Sequence, residues 1–402
     1  CLQANTTASY NTAMGRYTMY ANTTGASNTA IGYNSLGSNT EGNYNVAIGH
    51  QAANACVAHS GNIAIGYKAW DQAVGSNNVA IGYEAASASN TGMNGMTAIG
   101  YRAAYAITND GGHLAIGHEA LKTCTTGIRN TAVGYYSQRL CTGSQNTTFG
   151  FYAGYGIQAG SQNTCIGHEA GQATNVGASN TFVCFNTAYL NTEGNYNTAI
   201  GREAIYNCTL GENNCALGYS AGKSLTEGDY NVFIGRHAGD GQVTTGDKEL
   251  WIANDNVGAG NIKTWIHGNS SGQCYQGNNS SSWSTTSDRR LKKNIVDSSK
   301  GLGEINQLRV TNFEYRTREE IDMSEFPLSN DPHQIVLGKG QEGIIQTGPI
   351  AQEIEEVLPE CIQISKRGAK TVNSDPIIWA LVNAVKELSA KVTALEEQNN
   401  DS

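Results

Sequence analysis

One block, Asn-Thr-Ala-Ile-Gly-Tyr-x-Ala with close variants, recurs through residues 11–238 and leaves this chain few architectures to adopt. Its central Gly falls at 15, 32, 49, 66, 82, 100, 117, 134, 150, 167, 201, 218 and 235, with Cys184 in the one vacant slot. The spacing is 17 residues, with 16 or 18 three times. Asn stands four residues before the Gly in twelve of the fourteen units, Met96 and His113 being the exceptions. After the Gly comes an aromatic residue or His in eleven units and Arg in three. Ala, Ser or Thr follows at the third position in all of them.

A unit such as Asn45-Val46-Ala47-Ile48-Gly49-His50-Gln51-Ala52 contains a short apolar run, which reads as a strand covered on both faces. The stretches between units are rich in Gly and Asn, which adopt the positive φ of tight turns. Each unit is therefore one coil of a parallel β-solenoid. Stacking repeats each column position, so Asn is expected to form a ladder of side-chain hydrogen bonds and Ile a continuous apolar spine. At about 4.8 Å per coil, the stack measures about 65–70 Å.

A coil of 17 residues encloses little more than one row of side chains, so the rod needs partners to cover its second apolar face. A closed cyclic oligomer does this most simply. The repeat resembles the Asn-Ser-Val-Ala-Ile-Gly head repeats of trimeric autotransporter adhesins, with a period longer by a few residues. That resemblance implies a homotrimer.

Cys56, Cys124, Cys141 and Cys208 all lie seven residues after a repeat Gly, a recurrence that buried packing produces. They are expected as small buried hydrophobes, Cys124 and Cys141 on adjacent coils being the one pair placed for a disulfide. His50, His118 and His168 share the column after the Gly on non-adjacent coils and read as stacked, solvated rings, not metal ligands. Glu84, Glu119, Glu169 and Glu203 also share a column, separated by at least two coils. Glycosidase chemistry wants two carboxyl groups about 5–10 Å apart, so the expectation is a solvated polar column. A Tyr- and Asn-rich surface can still bind sugars by stacking and hydrogen bonding.

Charge divides the chain. Charged residues number 26 in the first 286 positions and 33 in the remaining 116, and all five prolines lie in the second part. The expected organisation is a solenoid over 1–246, a transition and flexible connector over 247–286, and a small α+β domain over 287–402. Glycine is abundant, 48 of 402, but with only five prolines the composition excludes collagen. A net charge of −9 without a basic block gives no footprint for nucleic acid. No apolar run approaches the ~18 residues of a membrane span, so no membrane insertion is expected.

After the connector comes Thr286-Ser287-Asp288-Arg289-Arg290-Leu291-Lys292-Lys293-Asn294-Ile295. Sixty residues later lies Gly348-Pro349-Ile350-Ala351-Gln352-Glu353-Ile354, running on to Pro359. Together with a terminal helix, these resemble the intramolecular chaperone auto-processing domain of phage tailspikes and tail fibres, an S74-type self-cleaving peptidase. The resemblance implies Ser287 as nucleophile, Lys292 as base, and a scissile bond between Thr286 and Ser287. A Lys removes a serine proton only when burial or neighbouring positive charge lowers its own pKa, and Arg289, Arg290 and Lys293 supply such charge. Asp288 is placed to cap the following turn or orient the dyad. No cofactor is implied.

Ser374-Asp375-Pro376 starts a helix, and Ile378, Leu381, Val385, Leu388, Val392 and Leu395 follow alternating spacings of 3 and 4, a coiled-coil seam. The expected protein is thus a phage tail fibre or tailspike, found in the virion after assembly in the host cytoplasm. It is a mainly β homotrimer that binds a host cell-surface receptor, a glycan. The chain begins at Cys1 without Met, as expected if a virion-attachment region precedes it. The competing expectations are a bacterial trimeric surface adhesin and a glycan depolymerase with its site between chains.

Overall fold

The computed structural model describes residues 1–72, 74–89, 92–108, 111–255, 262–276, 289–316, 320–322, 324, 345–364 and 369–400. Two compact units result, Cys1–Trp283 and Ser284–Ser402.

In the first unit each of the fourteen repeats supplies one three-residue strand, from Thr12–Met14 to Val232–Ile234. Every strand pairs in parallel with that of the next repeat and in strict register, as where Thr29, Ala30 and Ile31 face Val46, Ala47 and Ile48. A second short parallel ladder joins Ala106–Ile107, Thr123–Cys124 and Leu140–Cys141. The sheet outlasts the repeat. Val232–Ile234 pairs in parallel with Leu250–Asp255, which runs antiparallel to Ile262–Gly268, and this in turn to Cys274–Gln276.

The repeat Gly is required by its backbone. Gly49 has φ +138°, and a Cβ on it would stand 2.3 Å from the carbonyl oxygen of Gly66 in the next coil. Cys184 keeps the same slot at φ 112°, a strained conformation for a residue with a side chain.

The Asn ladder is continuous from Asn11 to Asn78 and again from Asn130 to Asn231. Each side-chain oxygen accepts the backbone N–H at the same column one coil on, at 2.8–3.0 Å. Each side-chain nitrogen donates to a turn carbonyl of that next coil at 2.7–2.9 Å. One carboxamide thus stitches two buried backbone groups that would otherwise be orphaned.

The apolar spine is not the expected one. The inward residue of each strand is the middle one, with Ala30, Ala47, Ala64, Ala80 and Ala98 fully buried. The Ile position that follows points to the opposite face, where Ile166, Ile200 and Ile234 remain 39%, 42% and 38% exposed. In a three-residue strand both faces are apolar, and alternation sends the middle residue inward, Ala in most coils and Phe182 and Phe233 in two.

Among its described residues the second unit contains three α-helices, α1 (Leu302–Ile305), α2 (Ala351–Val357) and α3 (Ser374–Asn400). A hairpin-like pair joins Thr311–Phe313 to Gln346–Gly348, and another joins Ile362–Ile364 to Lys370–Val372. Its core is small: Ile354, Leu358 and Cys361 are buried, with Leu308, Val357, Ile362, Val372 and Ile377 packed around them. Helix α1 is tied to α3 by the Leu302 N–H donating to Glu387 Oε2 at 3.2 Å and by Asn383 Nδ2 donating to the Lys300 carbonyl at 2.9 Å. Among the described residues no helix is long and apolar enough to cross a membrane.

Candidate functional site

The candidate processing segment enters the described structure at Arg289. Thr286, Ser287 and Asp288, proposed from sequence as scissile bond, nucleophile and orienting group, lie outside the described residues. Arg289–Leu291 form a single 3-10 turn, closed by the Lys292 N–H donating to the Arg289 carbonyl at 3.2 Å. This turn brings Arg289, Arg290 and Lys292 onto one short loop. All three side chains are exposed in the single chain.

Downstream, the Gly348-Pro349 segment opens α2 as read from sequence, and the helix ends before Pro359. An ion pair joins Arg309 to Glu353 on α2, with Nε at 3.1 Å from Oε2, and another joins Lys370 to Glu355. These pairs fasten the two hairpin-like pairs to the helix. The α3 seam faces outward: Ile378, Leu381, Val385, Leu388, Val392 and Leu395 are 45–60% exposed. A helix with an apolar seam that its own domain leaves bare is suited to association with copies of itself.

Residues 287–363 match the family model of Peptidase_S74, described as the chaperone of endosialidase. The matched segment begins at Ser287, the residue singled out from sequence as nucleophile. No curated protein matches the chain.

On the solenoid, the glutamate column is not the solvated one expected. Glu119 is held by Lys122 Nζ at 2.8 Å and Arg139 Nε at 2.7 Å. Burial works to raise its carboxyl, yet hydrogen bonds from Lys122 and Arg139 outweigh it and hold the group below its usual value. Hydrogen bonding to Lys223, with Arg202 nearby, likewise lowers Glu203, and Glu84 meets Arg102 at 2.7 Å. Glu119 and Glu203, held ionised in this way, are unsuited to serve as the proton-donating acid of a glycosidase. Sequence missed these pairs because the cations come from other columns, three to twenty residues away.

The ring column forms a single stack of ten, from Tyr33 through His50, Tyr67, Tyr83, Tyr101, His118, Tyr135, Phe151 and His168 to Phe185. Neighbouring centroids are 4.8–5.4 Å apart and planes tilt by 9–24°. His50, His118 and His168 are each sandwiched between two rings. Among the described residues no group of three His, Cys, Asp or Glu is gathered as a metal site. Among the described residues no cysteine forms a disulfide, and Cys56, Cys124, Cys141 and Cys208 are buried.

Proposed function

We propose that this chain is a phage tail fibre or tailspike protein. In this reading its solenoid is a homotrimeric shaft that binds a host receptor, and its terminal unit aligns three chains before cutting itself off. The observation that carries the reading is the family match opening at Ser287, C-terminal to a repetitive solenoid.

The pairing has a physical reason. Coils so alike can slip by a whole 17-residue unit, because every side chain then lands in an equivalent column. A terminal clamp that sets the register before the coils zip up removes that trap. The exposed α3 seam and the small core of the terminal unit support such a clamp, since both gain from burial against other chains. The outward Ile column supports lateral association of the solenoid itself.

In the proposed cleavage, Lys292 takes the proton from Ser287 Oγ as that oxygen attacks the Thr286 carbonyl carbon. The Thr286–Ser287 peptide bond breaks, the proton passes to the departing Ser287 amine, and an ester joins Thr286 to Oγ. Water then opens the ester, leaving a Thr286 carboxylate and the Ser287 hydroxyl. Lys292 is exposed in one protomer, so partner chains supply its burial. Cutting is thereby tied to assembly.

The test is to delete residues 287–402 before expression. The proposal expects aggregates from the deleted gene and a soluble, released solenoid trimer from the full one. A well-folded solenoid from the deleted gene contradicts the chaperone role.

A further inference from the structure

The stack of ten rings is a poor platform for sugars, because its faces are occupied by one another and only edges reach solvent. A second file of tyrosines differs. Tyr10, Tyr44, Tyr196 and Tyr230 lie five residues before a repeat Gly and are 89%, 73%, 63% and 56% exposed. Among the described residues none of these four rings meets another ring or a cation.

Each of the four also sits at φ 58–61°, a left-handed conformation that is strained for a bulky side chain. Other coils fill the same column with Gly61 or Asn77, which suit it, and with Arg129, Gln145 and Gln162, which share the strain. Tyr17 and Tyr136 share the strain, but they pack edge-on against Tyr20 and Tyr152 at 5.6 and 5.2 Å. Among the described residues the four exposed rings carry the strain with no ring or cation contact to offset it.

Their spacing is regular. Tyr10 and Tyr44 are two coils apart, and so are Tyr196 and Tyr230. Between them in the column stand Ser27 and Asn213, whose side chains make no hydrogen bond among the described residues. Backbone pairing confirms the file: the Asn213 N–H donates to the Asn195 carbonyl at 2.9 Å and the Tyr230 N–H to the Glu212 carbonyl at 3.0 Å. Two coils span about 9.6 Å, close to one disaccharide of an extended glycan. Glu193 and Glu227 are exposed beside the second pair, and Glu212 and Asp229 lie in the adjoining column. That charge repels anionic sugars.

We propose that Tyr196, Asn213 and Tyr230 form a binding site for a neutral glycan chain laid along the solenoid axis. Each ring stacks on a sugar face and Asn213 hydrogen bonds to the sugar between them. Tyr10, Ser27 and Tyr44 form a second copy with the shorter Ser hydroxyl. The inference rests on the receptor-binding reading above and gives that reading a location and a ligand class.

The experiment uses the full chain and immobilised hexamers of β-1,4-linked glucose and β-1,4-linked N-acetylglucosamine, with polysialic acid as the anionic comparison. Wild type is expected to bind a neutral hexamer and not polysialic acid. Replacing Tyr10, Tyr44, Tyr196 and Tyr230 together with Ala should weaken that binding by about tenfold or more, while replacing the same four with Phe keeps most of it. Sedimentation and electrophoresis on the same samples read assembly and cutting separately. Unchanged binding in the Ala variant, no binding of either neutral hexamer, or preference for polysialic acid overturns the site and leaves the fibre reading standing. Loss of assembly in the Ala variant also overturns it, because the rings would then be covered by another copy of the chain.

Discussion

The backbone N–H of Asn130 donates to Nδ1 of His113 across 3.3 Å, so an imidazole fills a slot of the Asn ladder. Burial pushes the His113 pKa from its usual 6.5 down to about 4, against a hydrogen bond with the backbone of Gly127 that favours the charged ring. The unfolded chain therefore binds a proton that the folded chain refuses. Stability from the neutral ring is full above pH ~6.5 and is lost as pH falls toward 4, by up to about 3 kcal/mol. His113→Asn restores the carboxamide acceptor without the titration. The thermal midpoint of wild type should drop more between pH 7 and 4.5 than that of His113→Asn, and equal drops contradict the account.

Asn197 tests the ladder itself. Its side-chain oxygen accepts from the Asn214 N–H at 2.9 Å, and its nitrogen donates to the Gly211 carbonyl at 2.7 Å. Asn197→Ala leaves both groups buried and unpaired, at a cost of about 2–4 kcal/mol. A clear fall in thermal midpoint is expected, larger than for Asn11→Ala at the end of the ladder.

The Gly column makes opposite predictions at two positions. Gly117 has φ +131°, and a Cβ there would lie 2.4 Å from the Gly134 carbonyl oxygen, so Gly117→Ala should abolish soluble solenoid. Cys184→Gly relieves a strained backbone at φ 112° and should stabilise by about 1 kcal/mol. Soluble yield and thermal midpoint check both.

Thiol reactivity follows burial. Burial raises Cys56 to about 11 and Cys208 to about 12, so at pH 8 both remain protonated thiols. Iodoacetamide applied to the native chain should label the exposed Cys1, Cys184 and Cys274 and spare Cys56 and Cys208. Denaturation should expose all ten.

Much of the solenoid is legible from its repeat, because Gly49 and Asn45 mark a backbone demand and a hydrogen-bonding demand that recur in nearly every coil. The direction of Ile48 and Ala47 is not legible, since apolar residues on both sides of a three-residue strand carry no alternation to read. Nor is the pairing of Glu119 with Arg139, which joins two columns across coils. In the terminal unit, Gly348-Pro349 and Ser374-Asp375-Pro376 announce their helices through local turn chemistry. The exposure of Lys292 depends on what surrounds it, and no local pattern encodes that.

The central claim is tested most directly by the masses of the purified product of the full gene. One cut should yield two fragments meeting at Thr286 and Ser287, while Ser287→Ala and Lys292→Ala should each yield a single 42.6 kDa chain. Ser287→Cys should retain some cutting, thiolate being a strong nucleophile. Efficient cutting in Ser287→Ala, or an intact wild-type chain in an assembled trimer, would contradict the account.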